Sequence, residues 1–247
     1  MPIEYLTKNK KNIAYLANAG GAFTLVFLGG FMSDMMGSKA THLEDWAKKN
    51  HYGFLRFDYS GHGQSSGVFE SCNISDWVED TYEIITEKTN GPIILIGSSM
   101  GGWISLLLAL KRKKRVSGLV LIAPAVDMTE ILMWNNFSDN EKNMISKKGY
   151  VEIFSDEYPP YKITKNLIDD GRKYLLMNQQ ISLDCPVNII HGIKDEAVPW
   201  DLSIELSKKI SSNSITQSFI KDGDHGLSRP TDLEYIFFSI EQIIKKI

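Results

Sequence analysis

Residues 92–97, with the sequence Pro-Ile-Ile-Leu-Ile-Gly, form an apolar run in which no polar side chain alternates with the apolar ones. A strand with this pattern is typically buried on both faces, as strands in the middle of a parallel sheet are. The very apolar residues 100–110 follow and predict a helix, and residues 116–123 predict a second buried strand. This order favours an α/β protein whose mainly parallel sheet is covered by helices on both faces.

Strands and helices alternate through most of the remaining sequence. The first three predicted strands follow one another closely, and Gly20-Gly21 indicates a turn between the second and third, so we expect an antiparallel meander at the start. These three strands are residues 4–7, 12–17 and 23–28. The later segments are predicted helices at 38–50, 75–88 and 200–210, predicted strands at 54–58, 187–191 and 214–220, and a final helix with an apolar stripe from residue 233.

The alternation stops between residues 125 and 184, where no clear strand can be identified. Residues 129–137 and 163–178 look helical, and Ser138 with Glu141 has the spacing of a capping box at a helix start. We therefore expect an α/β core made of residues 1–125 and 185–247, with residues 126–184 inserted as a small helical cap.

Composition excludes several classes of protein. The chain has 247 residues, 43% of them apolar and 23% charged, which is typical of a folded globular domain. Its net charge of −3 gives no electrostatic reason to expect nucleic-acid or anionic-membrane binding. The longest strongly apolar stretch, residues 103–110, is far shorter than the ~20 residues that a membrane span needs. No signal pattern opens the chain, and Cys72 and Cys185 fit no disulfide framework or zinc motif. We expect a cytoplasmic bacterial protein whose oligomeric state the sequence does not predict.

The segment Gly97-Ser98-Ser99-Met100-Gly101 matches the pattern G-x-S-x-G with Ser99 at its centre. It stands where a buried strand ends and an apolar helix begins, which is the context that this motif requires. Small residues on both sides allow a tight, strained turn that lifts the Ser99 side chain above the carboxyl edge of the sheet. The alternative is a glycine-rich turn without chemistry. We predict Ser99 as a nucleophile and regard Ser98 as structural.

A serine hydroxyl becomes a good nucleophile when a base removes its proton, and that base is commonly a histidine oriented by a carboxylate. In the chain order typical of this motif the acid and then the histidine follow the serine, which leaves His191 and His225. His225 lies in the loop between the last strand and the last helix, and we predict it as the general base. His191 ends a strand and is expected to be satisfied by local hydrogen bonds.

Asp195 follows a predicted strand and precedes His225, so we predict that its carboxylate orients that histidine. Two alternatives remain open at this point. Asp195 could be an ordinary turn residue before a Val-Pro pair, and Asp127, just after another strand, is a rival acid. Asp222 and Asp224 are expected to be solvated loop charges.

Acyl transfer places negative charge on a carbonyl oxygen, which two backbone N–H groups can stabilise. We predict that one of them belongs to Met100, the residue after the nucleophile. The other should come from residues 28–31, Leu-Gly-Gly-Phe, with Phe31 as the donor, although a simple glycine turn is the alternative. Of the residues after the next strand, Asp58 is expected to form a turn and His62 to lie on the surface.

Five motifs are spread along the chain: Gly29-Gly30-Phe31, residues 58–65, residues 97–102, residues 191–199 and Gly223-Asp224-His225. Their combination resembles the serine α/β-hydrolase family from residue 23 to the end. Within that family, residues 33–35, 56–61, 91–92, 97–103 and 194–200 are similar to the animal mitochondrial enzymes that act as palmitoyl-protein thioesterases and acyl-glucuronide esterases.

The resemblance implies the α/β-hydrolase fold and chemistry that uses no metal and no organic cofactor. It also implies these site residues: catalytic Ser99, Asp195 and His225, with Phe31 and Met100 as oxyanion donors. The sequence departs from the family in two places. The family often has His-Gly before the oxyanion residue where this chain has two glycines, and the predicted cap matches poorly.

We therefore expect a serine hydrolase that cleaves carboxylic esters or thioesters through an acyl-enzyme, with a small-molecule or acylated-protein substrate. Methionines near the predicted oxyanion loop and at the start of the cap indicate an adaptable apolar acyl pocket, although they could equally fill the core. These methionines are Met32, Met35, Met36, Met100, Met128 and Met133. Two alternatives are a non-catalytic binding protein with this fold and a related hydrolase that cleaves peptide or C–C bonds.

Overall fold

The computed structural model describes residues 2–8, 11–154 and 159–247. In chain order the strands are β1 (Glu4–Lys8), β2 (Lys11–Asn18), β3 (Thr24–Leu28), β4 (Gly53–Phe57), β5 (Ile93–Ser98), β6 (Val116–Ile122), β7 (Tyr150–Ile153), β8 (Tyr161–Thr164), β9 (Val187–Gly192) and β10 (Ile215–Ile220). The helices are α1 (Ser38–Lys49), α2 (Ile74–Lys88), α3 (Met100–Lys111), α4 (Asp139–Lys148), α5 (Lys165–Gly171), α6 (Asp201–Lys209) and α7 (Pro230–Ile244).

The main sheet has the strand order β1-β2-β4-β3-β5-β6-β9-β10. Strand β2 is antiparallel to both of its neighbours, and all other neighbouring strands are parallel, which confirms the predicted α/β class. The expected meander is wrong after β2, because β4 lies between β2 and β3 and pairs with both. Helix α1 connects β3 to β4, and a crossover of this kind joins parallel neighbours.

Helices cover both faces of the sheet, as the apolar strands require. Every residue of β5 is buried, because one layer of helices packs on each side of it. Helices α1 and α7 fill one face with side chains that include Ala40, Leu43, Ile236 and Ile240. Helices α2 and α3 fill the other with Trp77, Ile84, Trp103 and Leu106 among others. Of the helices in the described part of the chain, none combines the length and the apolar character needed to cross a membrane.

Between β6 and β9 the chain leaves the main sheet. Short helical turns at Thr129–Met133 and Trp134–Asn136 lead to α4, which begins at the predicted capping box of Ser138 and Glu141. Strands β7 and β8 then form an antiparallel hairpin that the sequence did not predict. The hairpin takes up the start of the helix expected over residues 163–178, which is limited to α5 and one further turn. Residues 155–158 of this segment lie outside the described residues.

Hydrogen bonds join the segment between β6 and β9 to α2 and tie its beginning to its end. Near α5, Asp170 accepts hydrogen bonds from the backbone N–H and the hydroxyl of Ser75 at 2.7 and 2.8 Å. Where the chain returns toward β9, Asp127 accepts the N–H groups of Leu176 and Met177, each at 2.8 Å. The segment is therefore held against α2, and its returning end is held to the residues that follow β6.

Candidate active site

Ser99 stands between β5 and α3, where the sequence predicts a sharp turn. Its backbone φ is 55°, in the left-handed region that residues other than glycine rarely adopt. The flanking glycines are needed for close packing, because a Cβ on Gly101 would lie 2.1 Å from the carbonyl oxygen of Leu28. A Cβ on Gly97 would lie 2.3 Å from the carbonyl oxygen of Gly101. The turn is therefore as tight as the motif predicts, with partly exposed Ser99 at its apex.

Three predicted side chains from three loops meet at the carboxyl edge of the sheet. His225, in the loop after β10, has its Nε2 atom 3.1 Å from Ser99 Oγ. Its Nδ1 atom lies 2.7 Å from Oδ2 of Asp195, in the loop after β9. Because a carboxylate only accepts hydrogen bonds, we assign the proton of the neutral imidazole to Nδ1. The lone pair on Nε2 then faces the Ser99 hydroxyl, in position to receive its proton.

The side chain of Asp195 is fully buried, and both of its carboxylate oxygens are hydrogen-bonded. Oδ1 accepts the N–H groups of Ala197 and Val198 at 2.9 and 2.8 Å, and Oδ2 is shared by His225 and His191. Burial alone would raise the pKa of Asp195, but the hydrogen bonds from the two histidines and from Val198 outweigh it and hold that pKa well below its usual range. An ionised Asp195 can stabilise a positive charge on His225.

His191 is fully buried and satisfied by local partners, as the sequence predicts. Its Nδ1 lies 2.7 Å from Ser203 Oγ, and its Nε2 lies 3.0 Å from both Asp195 Oδ2 and the carbonyl oxygen of Val198. Since the last two atoms only accept hydrogen bonds, Nε2 carries a proton. His191 therefore fixes the carboxylate in place and does not face Ser99.

Asp127, the rival acid, has a different role. It is buried, and its carboxylate accepts the N–H groups of Leu176 and Met177 in the insertion. Burial raises the pKa of Asp127, against the effect of these hydrogen bonds. Its bonds hold the returning chain, whereas the carboxylate that contacts His225 is that of Asp195.

The loop after β3 brings the backbone of Phe31 beside Ser99. A Cβ on Gly30 would lie 3.2 Å from the Cβ of Ser99, so the loop and the serine are in close contact. Within the described part of the chain, the N–H groups of Phe31 and Met100 have no hydrogen-bond acceptor. Two N–H groups without partners next to a serine hydroxyl are what an oxyanion hole requires. Both predicted donors are therefore available to a substrate oxygen.

Two buried charged residues hold this loop at Met35, a role that the sequence did not reveal. Arg56 in β4 donates from Nη1 to the carbonyl oxygen of Met35 at 2.5 Å, while Glu44 pairs with its guanidinium. Asp58 accepts the N–H of Gln64 at 2.8 Å, as a turn residue does. Its other carboxylate oxygen accepts the N–H of Met35 at 2.6 Å. Asp58 therefore joins the turn after β4 to the loop after β3.

His62 is buried, so the expectation that it lies on the surface is wrong. It is 4% exposed and packs edge-to-face against the aromatic rings of Tyr59, Phe69 and Trp77. Its Nε2 accepts the N–H of Met32 at 3.2 Å, and its Nδ1 faces the carbonyl oxygen of Ser60 at 3.2 Å. These partners assign a neutral ring with its proton on Nδ1. Burial lowers the pKa of His62 to about 4, which favours this neutral form.

A cavity of about 230 Å³ opens beside Ser99. Its wall is polar and apolar in similar measure, and its polar residues include Ser33, Asp34, Ser38, Lys39, Ser98, His225 and Ser228. None of the residues that line it lies between residues 126 and 184. The methionines expected to form an apolar pocket do not line it either, and three of them, Met35, Met100 and Met128, are buried in the core. These three methionines therefore support the alternative interpretation, in which the thioethers fill the core.

The chain is similar in sequence to several known proteins. A family model described as serine aminopeptidase, S33, matches residues 24–232. The Bos taurus protein named palmitoyl-protein thioesterase ABHD10, mitochondrial, is 33% identical over 238 residues, which cover 96% of this chain and 78% of that protein. The Homo sapiens protein of the same name is 31% identical with the same coverage.

Solved structures agree with these similarities. A crystal structure from Agrobacterium vitis S4 matches with a TM-score of 0.92 and 36% identity, covering 99% of this chain and 100% of that chain. Mouse alpha/beta hydrolase domain-containing protein 10 matches with a TM-score of 0.92 and 31% identity, covering 100% of this chain and 99% of that chain. These matches confirm the predicted α/β-hydrolase fold.

Proposed function

This chain belongs to the hydrolase family described as serine aminopeptidase, S33, and we propose that it is a serine esterase or thioesterase. The proposal is carried by the contact of Ser99 Oγ with His225 Nε2 at 3.1 Å, while Asp195 bonds the other ring nitrogen at 2.7 Å. The similarity to proteins named palmitoyl-protein thioesterase supports a reaction at the carbonyl carbon of an ester or thioester.

In the first half-reaction, His225 takes the proton of Ser99 as Oγ attacks the acyl carbonyl carbon. The N–H groups of Phe31 and Met100 stabilise the negative charge that develops on the carbonyl oxygen. The loss of one such side-chain donor costs about 10²–10³-fold in kcat in a well-studied serine protease. His225, now protonated beside ionised Asp195, gives its proton to the alcohol or thiol as the C–O or C–S bond breaks.

In the second half-reaction, water attacks the acyl-enzyme. His225 takes a proton from the water, and the N–H groups of Phe31 and Met100 again stabilise the oxyanion. When the bond to Ser99 breaks, the protonated imidazole returns a proton to Oγ. The products are a carboxylic acid and the free enzyme, so both half-reactions use the same three side chains.

A fluorophosphonate probe tests the nucleophile, because it forms a covalent bond with activated serine hydroxyls. We expect the wild-type protein to be labelled at Ser99 and Ser99→Ala to remain unlabelled. Ser98→Ala is the matched control, since Ser98 lines the same cavity without contacting His225 in any hydrogen bond among the described residues. Undiminished labelling of Ser99→Ala would overturn the proposal.

Substrate series distinguish this function from the two alternatives. We expect the pure protein to turn over 4-nitrophenyl esters and acyl thioesters, which a non-catalytic binding protein would leave intact. Aminoacyl 4-nitroanilides test for a peptidase. Faster cleavage of these amides than of the matched esters would favour peptidase activity. Acyl groups of increasing length, from short to fatty, then define which ester or thioester is preferred.

We also propose that residues 126–184 form a cap on a core built from residues 1–125 and 185–247. The hairpin of this segment is separate from the main sheet, which supports that division. The ring of Tyr161 in β8 lies 6.2 Å from the ring of Phe31, centroid to centroid. The proposed cap therefore contacts the residue proposed as an oxyanion donor.

The proposed substrate is a small molecule or an acylated protein, and the proposed location is the cytoplasm. Cys72 and Cys185 are both buried and form no disulfide. Burial raises the pKa of each thiol to about 11, so both stay protonated near neutral pH. Inert, unpaired thiols of this kind are compatible with a reducing compartment.

A further inference from the structure

Lys39 is a cation in the wall of the cavity beside Ser99. It lies in the first turn of α1, and the same cavity is lined by His225 and Gly226. Its ammonium group donates to the carbonyl oxygen of Gly226, the residue that follows the proposed base. An ammonium group has three N–H donors, so two remain for other partners. The cavity that Ser99 and His225 line therefore also contains a positive charge.

This cation has no carboxylate within salt-bridge distance among residues 2–8, 11–154 and 159–247. Burial lowers the pKa of Lys39 to about 8, and the charges of Asp224, Asp195 and Asp232 partly oppose that effect. Of the other ionisable groups that line the cavity, Asp34 is exposed at its rim and His225 is the proposed base. A partly buried ammonium group without a direct counter-ion favours an anionic ligand.

We propose that Lys39 binds an anionic group on the leaving alcohol or thiol, so that the enzyme prefers esters or thioesters whose leaving group carries a carboxylate or a phosphate. This inference rests on the proposed function. The position of the leaving group follows from the chemistry, because the departing atom must face His225 Nε2 to receive its proton. Lys39 and His225 line the same cavity, and Lys39 bonds the carbonyl oxygen of the residue next to His225, which places its charge on the side of the proposed base.

A matched pair of substrates tests this preference. We choose 3-carboxy-4-nitrophenyl acetate and its methyl ester, 3-methoxycarbonyl-4-nitrophenyl acetate, because they share the acyl group and differ mainly in one negative charge. We expect wild-type kcat/KM to be about 10-fold higher for the anionic ester, in line with a hydrogen bond to a charged group. Lys39→Met should abolish this preference, chiefly by raising KM for the anionic ester.

Two further variants control for charge and for folding. Lys39→Arg keeps the positive charge and should keep most of the preference for the anionic ester. Lys49→Met removes an exposed lysine at the other end of α1 and should leave kcat/KM for both esters unchanged. Thermal unfolding of each variant shows whether it is folded.

The pH dependence of the wild-type enzyme is a second measurement that needs no variant. Lys39 loses its charge as pH rises through about 8, so the ratio of kcat/KM for the two esters should fall between pH 7 and pH 9.5. The same ratio should stay nearly constant in Lys39→Arg. Effects of His225 on the chemical step cancel in this ratio, because both esters use the same triad.

The outcomes separate the inference from the proposed function. If the wild-type enzyme has equal kcat/KM for both esters, the inference is overturned and the proposed function is not. An equal loss with both esters in Lys39→Met also overturns it, because Lys39 would then act only by holding the loop of His225. Absence of turnover together with absence of fluorophosphonate labelling at Ser99 overturns the proposed function and the inference together.

Discussion

Ser99 has packed aromatic rings on one side and an open cavity on the other. Toward the insertion, the ring of Phe31 packs edge-to-face against Phe69, Trp77 and Tyr161, with centroids 5.0, 5.9 and 6.2 Å away. Toward α1 and the loop of His225, a cavity of about 230 Å³ is lined by hydroxyl and charged groups together with apolar ones. We call these the packed side and the open side.

The difference indicates that the two sides have different functions. Rings that interlock on the packed side leave the loop of Phe31 little freedom. His62 belongs to the same cluster and holds that loop by accepting the backbone N–H of Met32. The open side contains the proposed base, Lys39 and space for a ligand. We therefore expect changes on the packed side to affect the oxyanion donors and stability, and changes on the open side to affect proton transfer and substrate choice.

The largest effect is expected on the open side, at the carboxylate behind the proposed base. Asp195→Asn replaces an acceptor of the His225 Nδ1 proton with an amide that can present N–H instead, which favours the wrong tautomer. We expect kcat to fall by about 10³–10⁴-fold in steady-state assays with a 4-nitrophenyl ester. Asp222→Asn, at an exposed aspartate in the loop of His225, is the control and should retain activity. A loss below about 10-fold in folded Asp195→Asn would contradict the role of Asp195.

The next effect is expected on the packed side, at His62. His62→Ala removes the acceptor of the Met32 N–H and loosens the loop that carries Phe31, so we expect kcat to fall by about 10–100-fold with little change in KM. His62→Gln can place an amide oxygen near the position of Nε2 and should recover part of this loss. Equal activity of wild type and His62→Ala would show that the aromatic packing alone holds the loop.

The pH dependence of stability tests the neutral state of His62. Its pKa is lowered to about 4 from 6.5, so the unfolded chain takes up a proton at a higher pH than the folded chain. This contribution to folding is complete above about pH 6.5 and is lost as pH falls toward 4, which amounts to about 2 kcal/mol between pH 7.5 and pH 5. In urea unfolding, wild type should lose about that much more stability than His62→Gln over this interval. Parallel losses would contradict the assignment.

The smallest effect is expected where the packed side meets the proposed cap. Tyr161→Ala removes one edge-to-face contact with Phe31 and should lower the free energy of unfolding by about 1 kcal/mol. Tyr5→Ala, at a tyrosine that is 51% exposed in β1, is the control and should change it less. If the two variants were equally stable, the contact between β8 and Phe31 would contribute nothing measurable.

The sequence predicted the site well because each proposed catalytic residue follows a strand that the apolar pattern of the sequence identifies. Ser99, Asp195 and His225 lie in the connections that follow β5, β9 and β10, and parallel strands end at one edge of the sheet. The role of His62 was missed because its bond to Met32 joins two loops 30 residues apart through a backbone N–H. The glycine-rich turn after β4 was the available signal, since it indicated a tight loop at the same edge.

The fold was predicted less well where pairing depends on distant partners. Nothing in the local pattern of β2 indicates that β4 will pair with it in place of β3. Strands β7 and β8 have only four residues each, which is too few for a reliable alternation pattern. Lys39 was predicted only as a helical residue, because its position at the cavity follows from how α1 packs against the loop of His225.

The distance along the chain between Ser99 and His225 has a consequence for biosynthesis. These residues are 126 positions apart, and β9 and β10 are both made after the serine turn. A nascent chain that has emerged from the ribosome only as far as β6 already contains its serine turn but not the imidazole that activates it. Return of activity after denaturation should therefore report the docking of the last strands, later than any spectroscopic signal from the first half of the sheet.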